Sequence, residues 1–96
     1  MLYTVTVKQQ ALDEALEAYL YYEEKQEGLG DRFLNSLRKR YGDLSRNPQY
    51  FSFIYADREK TLRDVIVEDF PFVIMYDIVG TEVIVYSVHN TYKKME

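Results

Sequence analysis

The spacing of apolar residues changes twice along this chain of 96 residues, and that change limits the folds available to it. Residues 3–7 alternate apolar and polar side chains, which predicts a half-buried strand. From about Gln9 to Gln26 apolar residues recur every three or four positions, as on an amphipathic helix whose apolar stripe is Ala11, Leu12, Ala15, Leu16, Tyr19 and Tyr22. The same spacing returns between Asp31 and Asn47. Alternating and continuous apolar runs then fill the second half of the chain and predict strands.

Glycine, aspartate and proline mark the ends of the two predicted helices. Gly28 lies between the periodic segments, and glycine takes the left-handed conformation of a helix C-terminus at little cost. Asp31 opens the second segment near the positive end of its helix dipole. Asn47 closes it, because the residue before a proline is disfavoured in the helical region. Two helices joined by so short a link form an antiparallel hairpin.

The second half of the chain is predicted to be a sheet. Strands are expected over residues 50–55, 62–67, 72–76 and 83–88, separated by polar turns and by a proline at position 71. The run 72–76 is apolar on both faces, as in a central strand covered by helices. The order β-α-α-β-β-β-β therefore predicts an α+β fold. In this two-layer sandwich the helical hairpin packs on an antiparallel-rich sheet, and residues 1–96 form a single domain.

Composition removes several kinds of chemistry. The chain has no cysteine, which excludes disulfides, cysteine-ligated metals and thiol catalysis. His89 is the one histidine, so no pair of histidines can hold a metal, and no cofactor is expected. No apolar run approaches the ~20 residues of a membrane span. The N-terminus lacks the features of a secretory signal. We expect a cytoplasmic protein without a membrane partner.

The charge balance argues against a dedicated nucleic-acid binder. The net charge is −4 and the sequence pI is about 5.0, the opposite of a basic DNA-binding domain, so direct sequence-specific DNA binding is not expected. A site for a polyanion must be a local patch. Arg32, Lys39 and Arg46 recur every seven residues and share one face of the second helix. That face is either a solvated surface or a docking site for an acidic segment of a partner.

Four short segments, in order along the chain, resemble motifs of one protein family. They are AYLYYEE at residues 18–24, GLGDRF at 28–33, DFPFVI at 69–74 and VHNTYK at 88–93. Together they resemble the RelE/ParE toxin superfamily of bacterial type II toxin–antitoxin systems, on its ParE-like branch. The resemblance implies the α+β fold predicted above. It also implies a toxin that inhibits growth, has a role in plasmid stabilisation and is neutralised by a cognate antitoxin.

The resemblance offers two modes of action. ParE-like toxins are associated with binding DNA gyrase, whereas RelE-like toxins cut messenger RNA on the ribosome without metal. Such cleavage needs a base, an acid and cations at the phosphate, for which Arg63, Tyr92 and Lys93 are the candidates. Val73 stands where RelE-like enzymes have an arginine, and the terminal lysines also suit a solubilising tail. Binding is therefore the first interpretation and RNA cleavage the alternative.

Acidic residues at positions that are basic in ParE-like relatives give a third interpretation. These residues are Asp64, Glu68 and Asp69, and they reverse the local potential of the sheet. An attenuated, non-catalytic binding module of the same fold is consistent with that reversal, as is a toxin with a different target.

Several residues are candidates for binding a target or an antitoxin. The ten tyrosines suit half-buried positions and interfaces, and they are compatible with a homodimer. Arg63 stands among acids and is expected to pair with a carboxylate of Asp64, Glu68 or an antitoxin. The binding candidates are Tyr19, Tyr22, Arg32, Lys39, Arg46, Arg63, Asn90 and Lys93. Asn90 is also expected to stabilise a turn, and His89 is expected to be a surface residue without an acidic partner.

Overall fold

A computed structural model describes residues 2–54 and 59–91 of the chain. Its elements are β1 (Thr4–Val7), α1 (Gln9–Lys25), α2 (Leu29–Arg46), a short 3₁₀ helix (Pro48–Tyr50), β2 (Leu62–Ile66), β3 (Phe72–Val79) and β4 (Glu82–Asn90). The two predicted helices and their short link are confirmed. Gly28 in that link has φ of +88°, the left-handed conformation expected of it.

The four strands form one mixed sheet in the order β1-β4-β3-β2. β1 runs parallel to β4, and the pairs β4–β3 and β3–β2 are antiparallel, so the antiparallel-rich sheet is confirmed. The helical hairpin carries the chain from β1 at one edge to β2 at the other and covers one face. Met75 pairs with Ser87 whereas Tyr76 pairs with Val85, so Tyr86 forms a bulge in β4.

The first strand expected after the helices is not formed in the described residues 50–54. Pro48 instead begins the 3₁₀ helix, and Phe53 makes only an isolated bridge to Arg63. Two backbone hydrogen bonds flank this bridge, from Ile54 N–H to the carbonyl oxygen of Leu62 and from Asp64 N–H to that of Ser52. The guanidinium of Arg63 donates to the carbonyl oxygens of Gln49 and Phe51 and so holds the preceding residues beside β2. Residue 55 of the expected strand lies outside the described residues.

The inner face of α1 consists of small residues. Ala11, Ala15 and Ala18 are buried against the sheet, whereas Leu12 and Leu16 are 49% and 57% exposed. Sequence periodicity placed both leucines in the same apolar stripe as the alanines, and that assignment is wrong. A row of alanines lets the helix lie close to the sheet, and the neighbouring leucines then project beside the contact instead of into it.

Aromatic rings fill the space between helices and sheet near the link of the hairpin. Ring centroids lie 4.9 Å apart for Tyr22 and Phe70, 5.0 Å for Phe33 and Phe72, and 5.3 Å for Phe33 and Phe70. Most of these pairs meet edge to face, the arrangement that the ring quadrupoles favour. Phe33 is fully buried at the centre of this cluster, which joins α2 to the start of β3.

Glu23 caps the second helix from the first. Its two carboxylate oxygens accept hydrogen bonds from the backbone N–H of Gly28, at 2.9 Å, and of Gly30, at 3.0 Å. The first N–H groups of a helix have no partner within the helix, and Gly28 has no side chain to supply one. The contact therefore fixes the start of α2 against the last turns of α1.

The close approach of the two helices requires glycine at position 30. A Cβ there would lie 2.7 Å from the carbonyl oxygen of Tyr19 and 2.8 Å from a carbon of its ring. At Gly42, also within α2, the nearest neighbours of a Cβ are the guanidinium atoms of Arg46, at 3.5 Å or more. The two glycines therefore differ in the room available for a side chain, although both lie in the same helix.

We expect Gly30→Ala to lower the free energy of unfolding by about 1–3 kcal/mol, because the helices must move apart. Gly42→Ala is expected to raise it by ~0.5–1 kcal/mol, because alanine is the better helix former. Urea denaturation followed by circular dichroism measures both. Equal effects of the two substitutions would show that the helix contact does not restrict position 30.

Candidate functional site

Arg63 anchors the segment that follows the 3₁₀ helix. It lies on the helix-facing side of β2, where it pairs with Tyr76. Its guanidinium donates to the carbonyl oxygens of Phe51, at 2.6 Å, and Gln49, at 3.3 Å, and stands 3.8 Å from the centre of the Phe53 ring. Its partners among the described residues are thus carbonyls and a ring instead of the expected carboxylates. Through these contacts the side chain holds residues 49–53 beside β2.

Two tyrosine hydroxyls are buried near this anchor and α2, in different surroundings. The hydroxyl of Tyr76 donates to the carbonyl oxygen of Pro48 at 2.7 Å, whereas that of Tyr41 makes no hydrogen bond to a described residue. Burial raises the pKa of Tyr41 to about 12. Burial also raises the pKa of Tyr76 to about 12, with the charge of Arg63 acting against that rise and the charge of Asp64 adding to it.

The raised pKa values make the fold sensitive to alkali. Tyrosine in an unfolded chain titrates near 10, so above that pH the folded state holds more protons than the unfolded state. The stability that depends on the two hydroxyls is complete below about pH 10 and is lost as the pH rises towards 12. Burial of these two neutral hydroxyls thus lowers the free energy of unfolding as the pH rises above about 10.

We expect Tyr76→Phe and Tyr41→Phe to flatten this alkaline loss of stability equally and to differ at pH 7. Tyr76→Phe removes a hydrogen bond and leaves a carbonyl unpaired, which costs about 1 kcal/mol. Tyr41→Phe removes a hydroxyl with no described partner and is expected to be neutral or stabilising. Unfolding midpoints in urea between pH 7 and pH 11 test both statements. An unchanged alkaline loss in both variants would contradict this origin of the sensitivity.

The three basic residues predicted to share a face of α2 are all exposed, but two of them are paired. Lys39 Nζ lies 3.1 Å from Glu68 Oε1, and Arg46 lies 3.4 Å from Asp43 Oδ1, while Arg32 makes no ion pair with a described residue. Exposed pairs of this kind contribute little stability, so a partner can exchange with them. The acids also reduce the attraction of this face for a polyanion.

A cleft of about 270 Å³ opens where α2 meets the 3₁₀ helix. It is lined by Arg40, Asp43, Arg46, Asn47, Tyr50 and Phe51. Arg40 is held in its wall, because Nε donates to the carbonyl oxygen of Ile66 at 2.8 Å and a terminal nitrogen lies 3.1 Å from Asp43. Asp43 thus pairs with both arginines of the cleft. The two cations are already balanced in part, which makes the cleft a weak site for an anion.

The two tyrosines proposed for binding, Tyr19 and Tyr22, are neighbours on α1, three residues apart, but their surroundings differ. Tyr22 faces the aromatic cluster. Burial raises its pKa, and the neighbouring Tyr21 adds a smaller rise. Tyr19 lies beside Gly30 and stands seven residues from Leu12, on the same side of the helix. Replacing Tyr22 therefore disturbs the core, whereas Tyr19 borders an exposed surface.

That surface is a row of leucines on α1. Leu12, Leu16 and Leu20 follow one another at four-residue steps and are 49%, 57% and 57% exposed. We call these three residues the leucine row. Sequence reasoning missed it, because Leu12 and Leu16 were assigned to the core. The signal was present, since alanines at 11, 15 and 18 and leucines at 12, 16 and 20 form two adjacent stripes.

His89 belongs to a chain of polar groups at the free edge of β4. Ser87 Oγ lies 3.0 Å from Glu14 Oε1 and 3.1 Å from His89 Nδ1, and the same Glu14 oxygen accepts the backbone N–H of Val88 at 2.9 Å. The histidine therefore has an acidic partner through a serine, contrary to the sequence expectation. Ser87 is buried, which keeps its hydroxyl from a substrate, so the cluster holds the strand edge.

The remaining site predictions fall at the C-terminus. Asn90 ends β4 opposite Phe72 and is half-buried. Thr91 donates to the carbonyl oxygen of Pro71 through its backbone N–H, at 2.8 Å, and its hydroxyl, at 3.3 Å. Tyr92 and Lys93 lie outside the described residues. Among residues 2–54 and 59–91 no group of three potential metal ligands converges. In this same part of the chain, no helix has the length and apolarity to cross a membrane.

The arrangement of helices and strands is similar to that of one solved toxin–antitoxin structure. One chain of the structure described as the chromosomal ParDE TA system from P. aeruginosa matches with a TM-score of 0.79 and 12% sequence identity. The match covers 93% of this chain and 96% of that chain. No family model and no curated protein matches the sequence. At this identity the likeness shows the fold, and it confirms the fold that the four sequence motifs implied.

Proposed function

We propose that this chain is the toxin of a type II toxin–antitoxin pair, ParE-like in its action, neutralised in the cytoplasm by a cognate antitoxin. The observation that supports the proposal most is the fold, which matches a chain of a ParDE system over nearly the whole length of both chains. The four motifs in the sequence support it independently, because they depend on the residues alone and not on the fold.

The charges of the described residues favour binding over catalysis. Arg63 is committed to backbone carbonyls, and Val73 occupies the place of an arginine in RelE-like enzymes. The candidates that remain for RNA cleavage are Tyr92 and Lys93, both outside the described residues. Cleavage needs cations placed around one phosphate. We therefore propose that the chain inhibits growth by binding its target, with DNA gyrase as the first candidate and the ribosome as the second.

The leucine row is the surface that we propose for the antitoxin. Its three leucines are spaced so that one amphipathic helix or one extended segment of a partner can contact all of them. Covering the exposed half of each leucine contributes about 1 kcal/mol, since a fully buried leucine contributes about 1.5–3 kcal/mol. A partner that covers all three gains about 3 kcal/mol, which offsets part of the cost of ordering a flexible segment on binding.

Growth after tightly controlled induction of this chain alone in a bacterial host tests the proposed function. We expect growth arrest, altered plasmid topology and intact messenger RNA, because a gyrase-binding toxin acts on DNA supercoiling. Cleaved transcripts together with normal topology would replace this proposal with the RNA endonuclease. Normal growth with soluble protein in the native host would favour the non-catalytic binding module.

Substitutions in the leucine row test the antitoxin surface separately. We expect Leu16→Gln combined with Leu20→Gln to weaken antitoxin affinity at least tenfold, the equivalent of about 1.4 kcal/mol, with little change in the unfolding midpoint. Tyr50→Gln is the control, because Tyr50 is 76% exposed and lies outside α1. Titration calorimetry with the small protein encoded in the same operon gives the affinities. Equal affinities for wild type and the double variant would place the antitoxin elsewhere.

A further inference from the structure

The face of the sheet that points away from the helices is apolar over much of its area. Strand alternation and the pairing register put seven large apolar residues there: Leu62, Ile66, Val73, Met75, Val79, Ile84 and Tyr86. Ile66 is 60% exposed and Val79 is 51% exposed. We call this surface the outer sheet face. The other five are half-buried, and no helix or strand of the described residues packs on this face. Such an apolar sheet face in a small acidic chain is typical of an interaction surface.

The Asp and Glu side chains are the charged groups that the four strands place on the outer sheet face, so these charges all have one sign. Asp64 is opposite Met75, Asp77 is opposite Leu62 and Ile84, and Glu82 is opposite Val79. The only Lys or Arg within the four strands is Arg63, which faces the helices. Asp64 makes no side-chain hydrogen bond to a described residue, while Asp77 accepts its own neighbour's N–H at 2.7 Å. The strands thus present carboxylates between apolar side chains.

We propose that the outer sheet face binds a segment of a partner protein in which apolar residues alternate with lysine or arginine. Its apolar side chains cover Met75 and the neighbouring residues. Its cations meet Asp64, which is opposite Met75 on β2, and Asp77, which is two residues from Met75 on β3. The carboxylates of the face select a partner with positive charge, since opposite charges across an interface favour the matching partner and speed association.

The same charges disfavour the other occupants. A nucleic acid would place phosphates against carboxylates, with no strand cation on this face to offset them. A second copy joined through this face about a two-fold axis would bring Asp64, Asp77 and Glu82 towards their own equivalents. An acidic peptide would be repelled in the same way. A basic apolar segment is the occupant whose charges are complementary.

Titration of the ¹⁵N-labelled full chain with synthetic peptides tests the proposal without knowledge of the natural partner. The probe is a capped nine-residue peptide alternating lysine with leucine or valine, and its counterpart has glutamate in place of lysine. At about 0.15 M salt, where long-range charge effects are screened, we expect the lysine peptide to shift amides of β2, β3 and β4. The glutamate peptide is expected to leave these amides unchanged.

Variants with equal changes in net charge separate the face from general attraction. Asp64→Asn with Asp77→Asn is expected to weaken binding about fivefold, since each rim pair contributes a factor of two to three. Glu17→Gln with Glu24→Gln, on the exposed side of α1, is expected to leave binding within about twofold. Ile66→Thr keeps a β-branched residue at an exposed position and is expected to weaken binding without loss of folding.

Four results would overturn the proposal. The first is amide shifts confined to the helices, and the second is equal weakening of peptide binding by the two double charge variants. The third is binding of the glutamate peptide, or of a single-stranded RNA dodecamer, to the face as tightly as the lysine peptide. The fourth is a concentration dependence of the amide shifts of the face in the protein alone. The last result would assign the face to a second copy. None of these measurements depends on toxicity, so the proposal and the proposed function fail separately.

Discussion

The close contact of α1 with its neighbours governs the surface of this protein. Ala11, Ala15 and Ala18 allow the helix to approach the sheet, and Gly30 allows α2 to approach the backbone of Tyr19. Larger residues on the inner face would separate the layers and leave space for the leucines to turn inward. Because the inner face is filled by small residues, the leucine row remains outside. Its exposure is a consequence of the packing beneath it.

Two carboxylates of α1 satisfy backbone groups where regular structure ends. Glu23 accepts from the start of α2, and Glu14 accepts the N–H of Val88 on the side of β4 where β1 has already ended at Val7. Unpaired buried N–H groups are costly, and charged acceptors form stronger bonds than neutral ones. The same helix therefore holds both the hairpin and the open strand edge. That edge is consequently less available for pairing with another chain.

Local sequence signals identified most elements of this fold, while the site depended on contacts between distant residues. Apolar spacing with Gly28 and Pro48 located both helices, and the continuous apolar run that begins at Phe72 located the central strand. The segment after Pro48 was misassigned, since its carbonyl groups are held in part by the guanidinium of Arg63, which comes later in the chain. Ser87 and Glu14 are separated by 73 positions, and no spacing rule connects them. The exposure of the leucines depends on which of two adjacent stripes of α1 packs inward, and the sequence spacing alone does not distinguish the two.

The leucine row and the outer sheet face lie on different layers of the sandwich. The leucine row belongs to the helical layer and its first two leucines are followed in sequence by the exposed Asp13 and Glu17, and the outer sheet face also carries acids between its apolar residues. A partner with one flat surface cannot cover both at once. The short dimension of the molecule is 22 Å, and an extended chain advances about 3.3 Å per residue, so at least ~7 residues are needed to pass from one layer to the other. A single flexible segment that uses both surfaces therefore needs at least that many residues between the two parts that bind them. Two partners, by contrast, can bind without competing for space.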